Sequence, residues 1–139
     1  MISEVKMNAL KSKPTSFDDL IGVEYTGFKG LSAIDKLLEE KQGHVKEAFY
    51  RDDVGWIDIF WGDKTAGLCH VVSKRDKKFA RSVSAILENG VSFKNDSPNK
   101  LNIAYKGRLA VITFDLRGTE TTALLTAYFT QKQKRLKSW

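Results

Sequence analysis

The stretch "GLCHVVSKR" (67–75) sets His70 just ahead of Lys74 and Arg75. If it is helical, His70 and Lys74 lie four residues apart on one face, so an imidazole and an ammonium reach a single bound anion. Such a pair suits RNA cleavage without a metal. A general base takes the proton of a ribose 2′-OH, the oxygen attacks the adjacent phosphate, an acid protonates the leaving 5′ oxygen, and fixed cations hold the charge developing on phosphorus. Histidine serves either proton-transfer role because its ordinary pKa lies near neutrality. The alternative is a hydrogen-bonded structural histidine on a half-buried helix, and spacing alone leaves both open.

Other side chains could join such a site. "HVKEAFYRDD" (44–53) brings Lys46, Tyr50 and Arg51 close in sequence, and Arg51 either forks onto a phosphate or pairs with Asp52 or Asp53. "LLTAYFT" (124–130) alternates as a strand, with Leu124, Thr126 and Tyr128 expected on one side, and a hydroxyl pair there can bond a phosphate or orient a base. Asp58 shares a strand face with Phe60 and either meets solvent or reaches into a polar site. His44 follows Gly43 at an expected helix end, where an imidazole bonds the last carbonyls.

Charge points to an anionic partner. The net charge is +6, and the cations cluster in "KRDKKFAR" (74–81), which holds Lys77, Lys78 and Arg81 besides Lys74 and Arg75, and in "QKQKRLKSW" (131–139). A solvated basic face with no partner is the competing reading. The lone Cys69 excludes an intramolecular disulfide and fits a reducing, cytoplasmic compartment; with two histidines it supplies too few ligands for a closed zinc site. No cofactor is expected: GxxxxGK[ST], GxSxG, HExxH and CxxC are all missing. No apolar run approaches the length of a membrane span, so no membrane partner is expected.

These residues need elements to hold them. "GLSAIDKLLEEKQG" (30–43) has the spacing of an amphipathic helix, "WIDIFWG" (56–62) alternates as a strand, and Asp63 or Thr65 is placed to cap a helix over about 67–74. "KFARSVSAILENG" (78–90) is a further helix. After it, "VSFKND", "KLNIAYKGRLAVITFDL" and "TTALLTAYFTQ" alternate as strands, with Lys106 and Gly107 as a hairpin turn. Helices first and antiparallel strands afterwards predict an α+β domain over 28–130, preceded by a lead-in or linker at 1–27 and followed by a basic tail at 131–139.

The ordered set "AIDKLL", "KQGHVKEAFYR", "GWIDIFWG", "GLCHVVSKR" and "LLTAYF" resembles the phage-associated nucleases of the barnase, EndoU, colicin and RelE fold. The resemblance implies N-terminal helices packed on a four-stranded antiparallel sheet and a metal-independent endoribonuclease. It also implies a toxin or effector role, with tRNA among the candidate substrates and an immunity or antitoxin protein as partner. Carried over by position, His70 is the acid or base, Lys74 and Arg75 face the phosphate, and Thr126 and Tyr128 come from the last strand. Lys46, Tyr50, Arg51, Lys77, Lys78 and Arg81 would bind substrate. The alternatives are a non-catalytic RNA-binding module and a phage-encoded inhibitor of a host protein; the oligomeric state stays open.

Overall fold

The computed structural model describes residues 16–130. Helices α1 (Phe17–Ile21) and α2 (Leu31–Glu40) lead into a hairpin of β1 (His44–Arg51) and β2 (Gly55–Phe60). Helices α3 (Leu68–Lys74) and α4 (Lys77–Asn89) follow, and β3 (Val91–Lys94), β4 (Lys100–Tyr105), β5 (Arg108–Leu116) and β6 (Thr119–Phe129) form an antiparallel meander. The expected tail at 131–139 and the start of the lead-in lie outside the described residues.

The α+β class holds, but the sheet has six strands rather than four, in the order β1-β2-β6-β5-β4-β3. It is not wholly antiparallel either, since β2 joins β6 in parallel through Asp58 and Ala123. Nor are all the helices N-terminal to the sheet: α3 and α4 are inserted between β2 and β3. The strand that the alternation does not reveal is β1, whose burial runs in pairs along the chain instead of alternating. Its register shifts between Val45 and Phe49, so the segment 46–48 faces the single residue Asp58. Such a bulge breaks the period-two pattern by which a strand is recognised. It also re-aims its side chains.

One face of the sheet carries the main core. Ile34, Leu37 and Leu38 of α2 and Phe79, Val83, Ile86 and Leu87 of α4 close over Val45, Phe49, Ile57, Ile59, Ile103, Ile112 and Leu124. Both helices show an apolar stripe, at i, i+3 and i+4 from Ile34 in α2 and at i, i+4, i+7 and i+8 from Phe79 in α4, as such a face requires. Burying a branched side chain in this layer contributes about 1.5–3 kcal/mol before ordering costs. Among the described residues the opposite face is covered at one end, where Leu20 of α1 packs with Phe60, Ala66, Leu116 and Ala123 in a small second core. Residues 16–27 of the expected lead-in are therefore packed on the domain.

A cation-rich helix end and an acid-lined cavity

Helix α3 is docked by its N-cap residue. Gly67, at a φ of 87°, donates its N–H to the Leu125 carbonyl of β6 at 2.8 Å. A Cβ there would stand 2.7 Å from the Trp61 carbonyl oxygen and 2.8 Å from Phe60, so only glycine lets the helix approach the strand this closely. Neither Asp63 nor Thr65 caps the helix as expected: the N-cap is Gly67, with no side-chain cap. The Asp63 carboxylate instead accepts from Thr65 N–H, Thr65 Oγ1 and Ala66 N–H at 2.8, 2.6 and 3.2 Å, shaping a tight turn.

That turn holds His70. The ring Nδ1 donates to the Lys64 carbonyl oxygen at 2.6 Å. Because a carbonyl only accepts, Nδ1 carries a proton and Nε2 is the free nitrogen, which fixes both tautomer and ring direction. Leu68 and Val71 enter the core and Val72 packs against it, which leaves half-buried His70 and exposed Lys74 on the other flank of α3.

At the C-terminal end of α3, guanidinium groups gather on aromatic rings. Arg75 Cζ lies 5.9 Å from the ring centroid of Phe129, and Arg108 Cζ lies 5.6 Å from Phe129 and 6.0 Å from Phe79. The two rings meet edge-to-face at 4.5 Å. Among the described residues neither arginine has an ion-pair partner, and Arg108 Nε is buried with no hydrogen bond. The nearest acid in sequence, Asp76, is occupied: its Oδ1 caps α4 by accepting Phe79 N–H at 2.7 Å. A desolvated guanidinium lacking a carboxylate suits an incoming phosphate. Sequence reading missed Arg108; the only signal was a cation flanking the Lys106–Gly107 turn, since its partners lie far along the chain.

The remaining predicted residues divide. Thr126 and Tyr128 pair with Val111 and Leu109 on the sheet face away from α2 and α4, whereas Leu124 and Ala127 pair with Ile112 and Ala110 in the core. Leu124 thus does not share their side as expected, because the register shifts at Leu125. Lys77 and Lys78 are exposed in the first turn of α4, near Arg75 in sequence. Arg51 forks onto Asp53 at 2.9 and 2.8 Å and gives Nη1 to the Leu87 carbonyl at 2.8 Å, tying β1 to the end of α4. Its hydrogen bonds hold the Asp53 carboxyl down at about 2. Arg81 is paired with Asp35 at 2.8 Å. Tyr50 is exposed and meets Trp56 edge-on at 5.2 Å, and Lys46 belongs to a different surface.

That surface is a cavity of about 620 Å³ on the other face of the sheet, between α1, the β1–β2 hairpin and the start of β6. Asp18, Glu24, Glu47, Asp58 and Glu120 line it with Lys46, His44, Trp56 and the hydroxyls of Thr119, Thr121 and Thr122. His44 is not at a helix end; it opens β1 opposite Phe60, donates from Nδ1 to the Ile21 carbonyl at 3.2 Å, and has Nε2 buried without a hydrogen bond, 3.6 Å from Glu24. Asp58 Oδ1 accepts the Glu47 N–H at 2.7 Å, a contact made by the bulge, where Glu47 sits at a φ of 54°. Burial pushes the Asp58 carboxyl above its ordinary range, against the pull of that hydrogen bond and of Lys46.

Electrostatics separates the two surfaces. Among the described residues, five carboxylates against one lysine disfavour a polyanion at the cavity mouth, while α3 and its surroundings offer Lys74, Arg75, Lys77, Lys78 and Arg108. Among the described residues no group of three or more His, Cys, Asp or Glu side chains could hold a metal ion, and no helix is long and apolar enough to cross a membrane.

The mixed α+β fold fits a family of nucleases. The chain belongs to the family described as phage-Barnase-EndoU-ColicinE5/D-RelE like nuclease, whose model matches residues 48–134, more than half of the chain and inclusive of α3 and β6. Comparison with curated proteins and with solved structures gives no match.

Proposed function

We propose that the chain is an endoribonuclease that cleaves by attack of a ribose 2′-OH on the adjacent phosphate, without a metal. His70 is its acid or base, and Lys74, Arg75 and Arg108 are the cations at the phosphate. The observation that carries this reading is the fixed imidazole: the Lys64 carbonyl takes Nδ1–H at 2.6 Å and leaves Nε2 for proton transfer, on a helix that ends beside guanidiniums with no ion-pair partner among the described residues. Thr126 and Tyr128, on the strand to which α3 is docked, supply hydroxyls for the substrate, and Lys77 and Lys78 extend the cationic track. The phage association in the family's description supports a toxin or effector opposed by an immunity or antitoxin protein, and tRNA is the first substrate class to test.

The test is cleavage of total RNA, tRNA included, in excess EDTA, by wild type and His70→Gln. Cleavage by wild type that yields 2′,3′-cyclic phosphate ends, lost in the variant with its circular dichroism unchanged, is the expected result. A 2′-deoxy substitution at the cut site should block it. Identical products from both proteins would remove His70 from the reaction. Salt-sensitive RNA binding with no products at any enzyme concentration would make the chain a binding module instead.

A further inference from the structure

The cavity between α1, the β1–β2 hairpin and the start of β6 holds negative charge that the fold itself does not balance. Among the described residues, Asp58 is the one lining acid whose carboxylate accepts a hydrogen bond, from the Glu47 N–H at 2.7 Å. The carboxylates of Asp18, Glu24, Glu47 and Glu120 have no lysine or arginine within ion-pair distance among the described residues. Yet the chain carries a net charge of +6, so cations are not scarce. A second observation points to a ligand. His44, 6% exposed, lines the cavity, and its buried Nε2 has no hydrogen bond, with Glu24 Oε1 3.6 Å away. Buried polar nitrogens of this kind are rarely left unsatisfied.

The lining sets the chemistry of the occupant. With Nδ1 donating to the Ile21 carbonyl, Nε2 of a neutral His44 accepts, as the carboxylates do, so the ligand must bring N–H donors and positive charge. The acids stand on separate walls: Asp18 in α1 and Glu24 beyond it, Glu47 and Asp58 at the bulge, Glu120 in β6. Among the described residues no three are grouped to hold a metal ion, so an extended cation meets them better than a compact one. Between the acids the lining is apolar, with Phe17, Ile21 and Leu116. Methylene groups would cover that surface, whereas a hydrated metal ion would not. Trp56, 45% exposed, already draws the Lys29 ammonium to 4.7 Å from its ring, the contact an alkylammonium makes with indole.

We propose that the cavity binds a linear polyamine, a chain of ammonium groups joined by short methylene segments, with its nitrogens at Asp58, Glu24 and Glu120 and its carbons against the apolar lining. A volume of about 620 Å³ is within the range of small-molecule sites. One ligand would then tie α1, the hairpin and β6 together, because each supplies a carboxylate, and the folded chain would gain stability with ligand concentration. Burial raises the Asp58 carboxyl above its ordinary range, and an ammonium beside it would favour the ionised form. The binding stands apart from the endoribonuclease reading and is measured without RNA.

The experiment is a calorimetric titration of the full chain with spermidine, putrescine, arginine amide and Mg²⁺ at physiological ionic strength, beside thermal melts in each. Spermidine should saturate one site and raise Tm, and it should bind at least about 10-fold more tightly than putrescine or arginine amide, because its charges engage several walls at once. Glu24→Gln, Glu120→Gln and Asp58→Asn should each weaken spermidine by roughly 5-fold to 10-fold, the worth of a partly exposed charge-assisted hydrogen bond. Asparagine at 58 keeps an oxygen for the Glu47 N–H, so the bulge is retained. Asp52→Asn removes the same charge from the β1–β2 turn, outside the cavity, and should change the affinity by less than about 2-fold. Equal losses in Asp52→Asn and the cavity variants, or displacement of spermidine by Mg²⁺ at matched charge, would reduce the effect to diffuse counterion binding and overturn the site. Arginine amide binding as tightly as spermidine would make the cavity a guanidinium pocket and overturn the polyamine. Absence of saturable spermidine binding would overturn the proposal outright.

Discussion

The two surfaces of this small nuclease have opposite charge, and the contrast separates their tasks. Around α3 and the end of β6, Lys74, Arg75 and Arg108 have no carboxylate partner among the described residues, and two guanidiniums rest on phenylalanine rings. Across the sheet, β1 and β2 turn carboxylates into a cavity with a single lysine. Phosphate, charged at every pH of interest, is drawn to the first surface and repelled by the second. Neutral donors have the opposite preference.

The comparison breaks most visibly at His70. His70→Gln should lower cleavage by about 100-fold to 10,000-fold, the range of a lost general acid or base, while leaving RNA affinity within a few-fold. Single-turnover kinetics beside a filter-binding titration measures both. A fall in affinity as large as the fall in rate would move His70 from the reaction to binding. Next come Arg75→Gln and Arg108→Gln. Each should weaken binding of single-stranded RNA by about 10-fold at low salt, and each should flatten the dependence of log K on log salt by about 0.7, the share of one phosphate contact. An unchanged slope in Arg108→Gln would mean that its unsatisfied Nε serves packing only.

Arg51 sharpens the contrast by being an arginine that the same test should exclude. Its guanidinium is 11% exposed in the side chain, forked onto Asp53 and bonded to the end of α4. Arg51→Ala should cost about 1–3 kcal/mol of stability, the worth of hydrogen bonds to a charged group, and leave the salt slope unaltered. Urea unfolding gives the first and the RNA titration the second.

The difference between Arg51 and Arg75 shows what the sequence could and could not reveal. Helices at 31–40, 68–74 and 77–89 and the β4–β5 hairpin follow from local periodicity, turn residues and glycine, and they were legible. So was the family, because "GLCHVVSKR" and "LLTAYF" stand in order. The strand β1 was hidden by its bulge, and with it the six-stranded sheet; the same bulge aims Glu47 N–H at Asp58, so the cavity was hidden too. Arg51 and Arg75 each sit beside acids in sequence. Only the fold decides that Asp53 turns to its arginine while Asp76 turns to cap a helix. Arg108 was invisible because what surrounds it arrives from α4 and the end of β6.

The smallest expected effect concerns the charge of the cavity itself. Burial raises the Asp58 carboxyl above its ordinary range, so the folded protein holds this proton more tightly than the unfolded chain does. Sign follows by linkage. Above the folded value the ionised group costs stability, and as pH falls through that value toward the unfolded one the cost disappears. Asp58→Asn should therefore give a small rise in Tm at pH 7 that closes on acidification through the carboxylate range, read by thermal melts of both proteins. Asp53 has the opposite sign: held at about 2 by Arg51, it stabilises the fold above its unfolded value and loses that contribution only as pH falls toward 2. Because Asp53 is more than a third exposed, screening limits its worth to about 1 kcal/mol or less. The ionised Asp58 thus works against the fold, whereas the ionised Asp53 works for it. A Tm difference between wild type and Asp58→Asn that stayed constant from pH 7 to pH 3 would show that Asp58 is not the strained charge of the cavity.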